Sequence, residues 1–279
     1  MIKLQFLGTA AAEGIPSLFC RCEVCRKARE RGGREIRTRS QAVVNDCLLI
    51  DFPSDSFTHV TEHQIDLSQV NNCIITHIHG DHTFPWEFYH LRRGNSTLPD
   101  DYEGFHLWGS TDITGRFEDV QKGTSDRLKI HNVEPFEPFE LCGLTITALK
   151  AKHGTAHPYI YMIEDSDSAV LYAHDTELFP TETWEYLRKV GRRFDIVSLD
   201  CTGGAADYLE KYSHMYLGEN RICRDKLMEY GLADENTEFI LNHFSHNGFD
   251  VNYEEFCKIV EPEGFTVSYD GRVVTTKEN

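Results

Sequence analysis

Short apolar, β-prone runs alternate with amphipathic and polar segments along this chain of 279 residues. The apolar runs predict strands at 2–7, 42–52, 72–76, 105–108, 144–150, 159–164, 169–173, 195–200, 237–242 and 265–275. The amphipathic segments predict helices at 23–31, 84–93, 111–120, 181–190, 219–230 and 252–260. Strands broken by helices at both ends of the chain predict two β layers enclosed by helices. In the last run, Asp270-Gly271 is a preferred two-residue turn, so we expect a hairpin.

Histidine and aspartate side chains cluster directly after the strand predicted at 72–76, as His77, His79, Asp81 and His82. Residues at i and i+2 of an extended strand end point to the same side, so His77 and His79 can share one metal ion. The backbone then turns, and Asp81 and His82 can face a second ion. A histidine-rich surface loop is the alternative, but the order His-x-His-x-Asp-His after a strand is far more specific than a count of histidines.

This motif resembles the signature of the metallo-β-lactamase superfamily of metal-dependent hydrolases. The resemblance implies an α/β (α+β) fold, an αββα four-layer sandwich filling residues 1–279 as one domain, with a two-metal site at one edge of the sheets. It also implies a later histidine, an aspartate that bridges both metals and a last histidine near the C-terminus. The chain offers these in order, each after an apolar, β-prone run: His153, Asp175 and His243.

Transfer of the family pattern, residue by residue, implies two divalent metal ions. One would be held by His77, His79 and His153, and the other by Asp81, His82 and His243. Asp175 would bridge the two ions. Mixed imidazole and carboxylate ligands suit zinc, manganese or iron. His214, in Tyr212-Ser213-His214-Met215, is similar in context to the histidine before a helix in the phosphodiesterase branch. The resemblance implies that His214 is a general acid or phosphate ligand, with a capping or surface role as the alternative. The predicted catalytic residues are therefore His214 and the ligand Asp81.

Cys20, Cys22 and Cys25 form a C-x-C-x-x-C cluster. Three thiolates this close cannot all pair with one another, and their spacing suits one soft tetrahedral metal, which predicts a structural zinc ion. His246, three residues after His243, is the candidate for the fourth ligand. The alternatives are uncoordinated thiols or, less favoured, a catalytic thiol, although no cysteine stands apart with its own base.

The N-terminal segment Phe6–Pro16, followed by the cysteine cluster, resembles the start of the PhnP-type phosphodiesterases and also that of the PqqB proteins. The complete ligand set matches the phosphodiesterase pattern, whereas PqqB-like chains depart from a full hydrolytic site. The resemblance thus implies a phosphoric diester hydrolase that acts on a small, cyclic or linear, phosphodiester through metal-activated water. Two alternatives stay open. One is a PqqB-like metal-binding protein with a different chemistry, and the other is a zinc-stapled scaffold, meaning a protein that binds zinc for structure only and has no catalytic turnover.

The charge is strongly acidic, with 45 Asp and Glu against 28 Lys and Arg and a net charge of −17. A polyanion-binding surface would show a basic patch, so long nucleic acid is a poor expectation. There is no apolar run of membrane-spanning length and no signal-peptide pattern at the start, so we expect no membrane partner and a cytoplasmic location. Nine cysteines, three of them clustered, fit a reducing compartment. The expected partners are a small phosphodiester and a second copy in a homodimer.

The remaining histidines and cysteines carry weaker expectations. Surface or strand-end positions are expected for His59, His63, His106 and His131. His157 and His174 neighbour proposed metal ligands, and contact with the substrate or with those ligands is a minority expectation for both. His90 is expected to pack in the core or to lie at the surface. Burial as small hydrophobes is expected for Cys47, Cys73, Cys142, Cys201, Cys223 and Cys257.

Overall fold

Two seven-stranded sheets pack face to face in the computed structural model, which describes residues 1–124, 126–206, 213–248 and 252–277. The first sheet contains, in spatial order, β14 (Val273–Thr275), β1 (Lys3–Gly8), β2 (Gln41–Val44), β3 (Leu48–Ile50), β4 (Asn72–Ile74), β5 (Phe105–Gly109) and β6 (Leu128–Asn132). The second contains β13 (Phe265–Val267), β12 (Glu238–Asn242), β11 (Ile196–Asp200), β10 (Ala169–Ala173), β9 (Tyr159–Glu164), β8 (Leu144–Lys150) and β7 (Pro138–Leu141).

Helices cover the outer faces of both sheets. The α-helices are α1 (Glu23–Arg31), α2 (Ser56–Glu62), α3 (Asp112–Thr124), α4 (Thr181–Val190), α5 (Leu217–Glu229) and α6 (Tyr253–Val260). Short 3₁₀ helices span Gly33–Glu35, Pro85–Leu91 and Glu261–Glu263. No helix in the described ranges is long and apolar enough to cross a membrane.

Three apolar cores correspond to the three interfaces between these layers. The central core lies between the sheets and includes the fully buried Phe6 and Tyr172. A second core lies between the second sheet and the helices that cover it, and it includes Leu187 of α4 and Phe256 of α6. The third joins the other sheet to α3 through Phe117. This layering confirms the predicted αββα sandwich.

Strand direction brings the functional loops to one edge of the sandwich. In the first sheet β3, β4 and β5 run parallel, and in the second β10, β11 and β12 run parallel. β8 and β10 are both antiparallel to β9, so β8 also ends at that edge. The loops that follow these strands therefore meet where both sheets end.

The predicted strands at 42–52 and 265–275 were wrong in detail. The first is a hairpin of β2 and β3, because Asn45 and Asp46 turn the chain with positive φ angles of 49° and 53°. The second is not a hairpin: β13 pairs with β12, whereas β14 pairs with β1 in the opposite sheet. The segment predicted as a helix at 84–93 forms a 3₁₀ helix, and α2, β6 and β7 lie outside the predicted elements.

Candidate metal centre

Both sheets contribute side chains to one cluster at this edge. The first sheet provides the residues that follow β4, which are His77, His79, Asp81 and His82. The second sheet provides residues that follow β8, β10 and β12, which are His153, Asp175 and His243. Every predicted member of the two metal-ligand sets is thus brought together by the fold.

Asp175 lies between two groups of imidazoles, and each of its carboxylate oxygens faces one group. Oδ1 is 3.4 Å from Nε2 of His153 and 3.9 Å from Nε2 of His77. Oδ2 is 2.9 Å from Nε2 of His243 and 3.1 Å from Nε2 of His82. A carboxylate with one oxygen toward each group has the arrangement that a ligand bridging two cations needs.

The spacing of these nitrogen atoms is compatible with ligands of one metal ion as well as with hydrogen bonds. Ligand nitrogens at about 2.1 Å from a tetrahedral zinc lie roughly 3.3 Å apart, and Nδ1 of His79 lies 3.0 Å from Nε2 of His77 and 3.1 Å from Nε2 of His153. Among the described residues, buried Nε2 of His82 and His243 and Oδ2 of Asp175 make no hydrogen bond. Buried polar atoms without partners are costly, and a shared cation would satisfy all three.

The hydrogen bonds around His82 fix which of its ring nitrogens faces the centre. Nδ1 of His82 donates to Oδ2 of Asp51 at 2.7 Å, so Nε2 is the nitrogen that faces Asp175. The Thr76 hydroxyl donates to the same carboxylate at 2.9 Å and accepts from Nδ1 of His77 at 3.0 Å. Asp51 was missed in the sequence, where its one signal is an acidic residue directly after the apolar run Leu48–Ile50.

The second sheet orients its histidines in the same way. Nδ1 of His153 donates to the Ser213 carbonyl at 2.8 Å. The Thr202 hydroxyl donates to the His243 carbonyl and accepts from Nδ1 of His243, both at 2.8 Å. Both rings therefore present Nε2 to Asp175. Their Nδ1–H tautomers follow from the hydrogen-bond network.

Burial and charge favour the metal-binding protonation states of Asp175, His77 and His153. Burial alone would raise the pKa of Asp175, but the imidazoles of His243 and His82 hold it well below its usual range. Burial lowers the pKa of His77 well below its usual value, and burial also lowers that of His153. An ionised carboxylate and neutral imidazoles are the forms that bind metal. Burial would lower the pKa of His82, but the surrounding carboxylates, Asp175 first, raise it well above its usual value, so a cation bound there would displace a proton.

Three residues of the centre adopt left-handed backbone conformations. The φ angles are 65° at Asp51, 53° at Asp175 and 62° at His243. Such angles in residues other than glycine cost of the order of 1 kcal/mol or more and cluster at functional sites. The turn after each strand end thus directs the side chain into the cluster at the expense of local stability.

His214 lies beside the cluster rather than within either proposed ligand set. Its Nδ1 donates to Oδ2 of Asp200 at 2.8 Å and is 3.8 Å from Oδ1 of Asp175. Burial lowers the pKa of His214, but the Asp200 carboxylate outweighs burial and raises it to about 9. Asp200, fully buried at the end of β11, was also missed in the sequence.

A cleft of about 310 Å³ opens above these side chains. Its walls include His79, Asp81, His153, Asp175, His214 and His243, together with Ala11, Ala12, Glu13, Gly154, Thr202 and Ser213. No lysine or arginine of the described ranges lines it. Any positive field toward a substrate anion must then come from histidines or from bound cations.

The three clustered cysteines and His246 form a second group near the cleft. Nδ1 of His246 is 3.6 Å from Sγ of Cys20 and 3.5 Å from Sγ of Cys22, and Cys25 completes the set. Spacings of this size fit ligands of one tetrahedral zinc ion, whose Zn–S bonds are about 2.3 Å. The four predicted ligands of the structural zinc are therefore brought together.

Hydrogen bonds from the residues on either side of His246 reach Glu13 in the wall of the cleft. The Ser245 hydroxyl donates to Oε1 of Glu13 at 2.5 Å, and Nδ2 of Asn247 donates to the same oxygen at 3.1 Å. The N-terminal loop is thereby joined to the segment that carries His243 and His246.

Among the other histidines, His59 differs from expectation, whereas the minority expectation of substrate contact is not met by His157. His59 is buried rather than exposed, and burial lowers its pKa to about 4. His174 lies buried behind the ligands, where Nε2 contacts the Ser198 hydroxyl at 2.8 Å. His157 is not among the residues that line the cleft and instead pairs with Asp112 at 2.9 Å. His106 and His131 stack in parallel on neighbouring strands.

Comparisons with known proteins agree with this architecture. The profile of the β-lactamase superfamily domain matches residues 46–227. The fold is similar to that of a diphosphatase of the PhnP family, with a TM-score of 0.73 and 21% identity over 98% of this chain and 96% of that one. It is similar to zinc-bound PqqB from Methylobacterium extorquens, with a TM-score of 0.73 and 19% identity over 98% of this chain and 99% of that one. It is also similar to the short form of human tRNase Z, with a TM-score of 0.69 and 15% identity over 99% of this chain and 100% of that one. No curated protein matches significantly.

Proposed function

Because the chain belongs to the β-lactamase superfamily of metal-dependent hydrolases, we propose that it hydrolyses a small phosphodiester, cyclic or linear. The observation that carries this proposal is the position of Asp175, with one oxygen toward His77 and His153 and the other toward His82 and His243. This geometry supports a centre for two cations rather than one.

Each proposed cation would have its own ligands and share Asp175. The proposed sets are His77, His79 and His153, and Asp81, His82 and His243. When bound, a pair of divalent cations makes water nucleophilic near neutral pH and neutralises charge that develops on a phosphoryl group. The same ligand types suit zinc, manganese or iron.

The chain's own residues would then position the substrate and supply a proton. Asp200 holds His214 at the cleft wall and favours its protonated form. A protonated imidazole at that position can donate to the oxygen of a leaving alcohol, or hydrogen-bond a phosphate oxygen. Asp200 would act as a positioning residue, since it contacts the imidazole and not the substrate.

The dimensions and charge of the cleft favour a compact anionic substrate. Its volume of about 310 Å³ suits a small molecule. The net charge of −17 is unfavourable for a long polyanion. One protein of the same fold is a diphosphatase of the PhnP family, which supports hydrolysis at phosphorus as the first reaction class to test.

Metal analysis together with a substrate panel tests the proposal. We expect three metal ions per chain, two in the centre and one at the cysteine group, and turnover of bis(p-nitrophenyl) phosphate and of small cyclic phosphodiesters. A zinc-stapled scaffold would contain one tightly bound zinc and show no turnover. Full metal occupancy without hydrolysis of any phosphodiester would contradict the proposed substrate class and favour a PqqB-like protein with other chemistry.

A further inference from the structure

Two cysteines that the metal centre does not use meet at the opposite edge of the sandwich. Cys47 lies in the turn between β2 and β3, and Cys142 lies in the turn between β7 and β8. These turns precede β3 and β8, whose far ends lead to the metal centre. The two residues are 95 positions apart in the chain and belong to different sheets.

The Cys142 side chain is in direct contact with Cys47. The Cys142 thiol donates to the Cys47 carbonyl at 3.3 Å. The neighbouring Cys47 side chain lowers the pKa of the Cys142 thiol. Cys142 is exposed, contrary to the expectation that it is a buried hydrophobe, and Cys47 is partly buried. The Cys142 sulfur lies against the Cys47 backbone and is open to solvent, which gives it the access that thiol–disulfide exchange requires.

We propose that Cys47 and Cys142 form a reversible disulfide that links the two sheets when the protein meets a disulfide oxidant such as oxidised glutathione. The exposed Cys142 thiolate attacks one glutathione sulfur, forms a mixed disulfide and releases one glutathione thiolate. The Cys47 thiolate then attacks the Cys142 sulfur, forms the protein disulfide and releases the second. Two protein thiols are oxidised, one glutathione disulfide is reduced to two thiols, and the two protons go to the glutathione thiolates.

The cross-link would act on stability rather than on the chemistry of the cleft. It closes a long loop between two sheets and therefore restricts the unfolded chain, which raises stability more for longer loops. The metal ligands lie at the other ends of the strands, so turnover should be unchanged. The pair would respond to redox conditions independently of the proposed function, which rests on other residues.

The experiment exposes the metal-loaded protein to glutathione buffers of increasing oxidation and alkylates the remaining thiols. Peptide mapping by mass spectrometry should find a Cys47–Cys142 cross-link that dithiothreitol reverses. The melting temperature should rise by roughly 5–10 °C on oxidation. Cys142→Ser and Cys47→Ala should abolish both effects, whereas Cys257→Ala, which alters a cysteine of α6, should retain them.

Several results would overturn the proposal. One is a stable mixed disulfide in which Cys142 keeps glutathione, and another is full alkylation of both thiols under oxidising conditions. A rise in melting temperature that persists in Cys142→Ser would assign the effect to other residues. Cross-links found only among Cys20, Cys22 and Cys25 would likewise contradict it.

Discussion

At the scale of single residues, Asp175 is the side chain that the two proposed cations would share. We predict that Asp175→Ala lowers phosphodiester turnover by orders of magnitude and lowers the metal content of the centre, because each proposed cation loses an oxygen ligand. The zinc at Cys20, Cys22 and Cys25 should remain. Elemental analysis per chain and a turnover assay measure both effects. Asp112→Ala, which removes a carboxylate outside the cleft, is the control, and full occupancy of the centre in Asp175→Ala would contradict the assignment.

His214 allows a test of proton transfer. An alkyl leaving group needs a proton at neutral pH, whereas a nitrophenolate is far less basic and needs little help. We predict that His214→Ala keeps its metals, loses on the order of 10²–10⁴-fold in rate on alkyl phosphodiesters, and loses much less on an aryl phosphodiester. His157→Ala serves as the control, because His157 pairs with Asp112 away from the cleft. Equal losses on both substrates would assign His214 to phosphate binding instead.

The ligands could be predicted from the sequence, whereas the residues that orient them could not. His77, His79 and His82 lie in one short motif, so their order identifies them. Asp51 and Asp200 contact the centre through single hydrogen bonds to His82 and His214 from distant positions in the chain. Each of these two aspartates stands at or directly after the end of a buried strand. An aspartate in that position is common at strand ends that bind nothing, so it does not identify the histidine that it contacts.

At the scale of elements, the cysteine group holds the start of α1 against the segment after β12. Cys22 caps α1, since its side chain accepts from the Cys25 N–H. Serine would keep a capping acceptor but bind zinc poorly. We predict that Cys22→Ser lowers the melting temperature and the zinc content, and that activity falls indirectly because His243 is less well held. Thermal melts, elemental analysis and turnover test this, with Cys257→Ser as the control. Unchanged zinc content would contradict the site.

Strand prediction failed where tertiary contacts outweigh local pattern. β6 and β7 were missed because both are edge strands, whose sequences alternate with polar residues and, in β7, begin with Pro138. The Asp270-Gly271 pair resembled a hairpin turn. In the fold the Asp270 carboxylate accepts from the Thr38 N–H at 2.6 Å and from the Thr9 hydroxyl at 2.6 Å, and the chain crosses between the sheets. Buried central strands, by contrast, were predicted well from their continuous apolar runs.

At the scale of the whole molecule, charge should govern how fast an anionic substrate arrives. The net charge of −17 repels a phosphodiester, and three divalent cations would offset only part of it. The Debye length falls from about 30 Å at 0.01 M salt to about 8 Å at 0.15 M. We predict that kcat/KM for an anionic phosphodiester rises as salt increases over this range, whereas kcat, which reports on bound substrate, stays constant. Steady-state kinetics in sodium chloride measure both. A fall in kcat/KM would show that the local field of the cations in the cleft dominates the encounter.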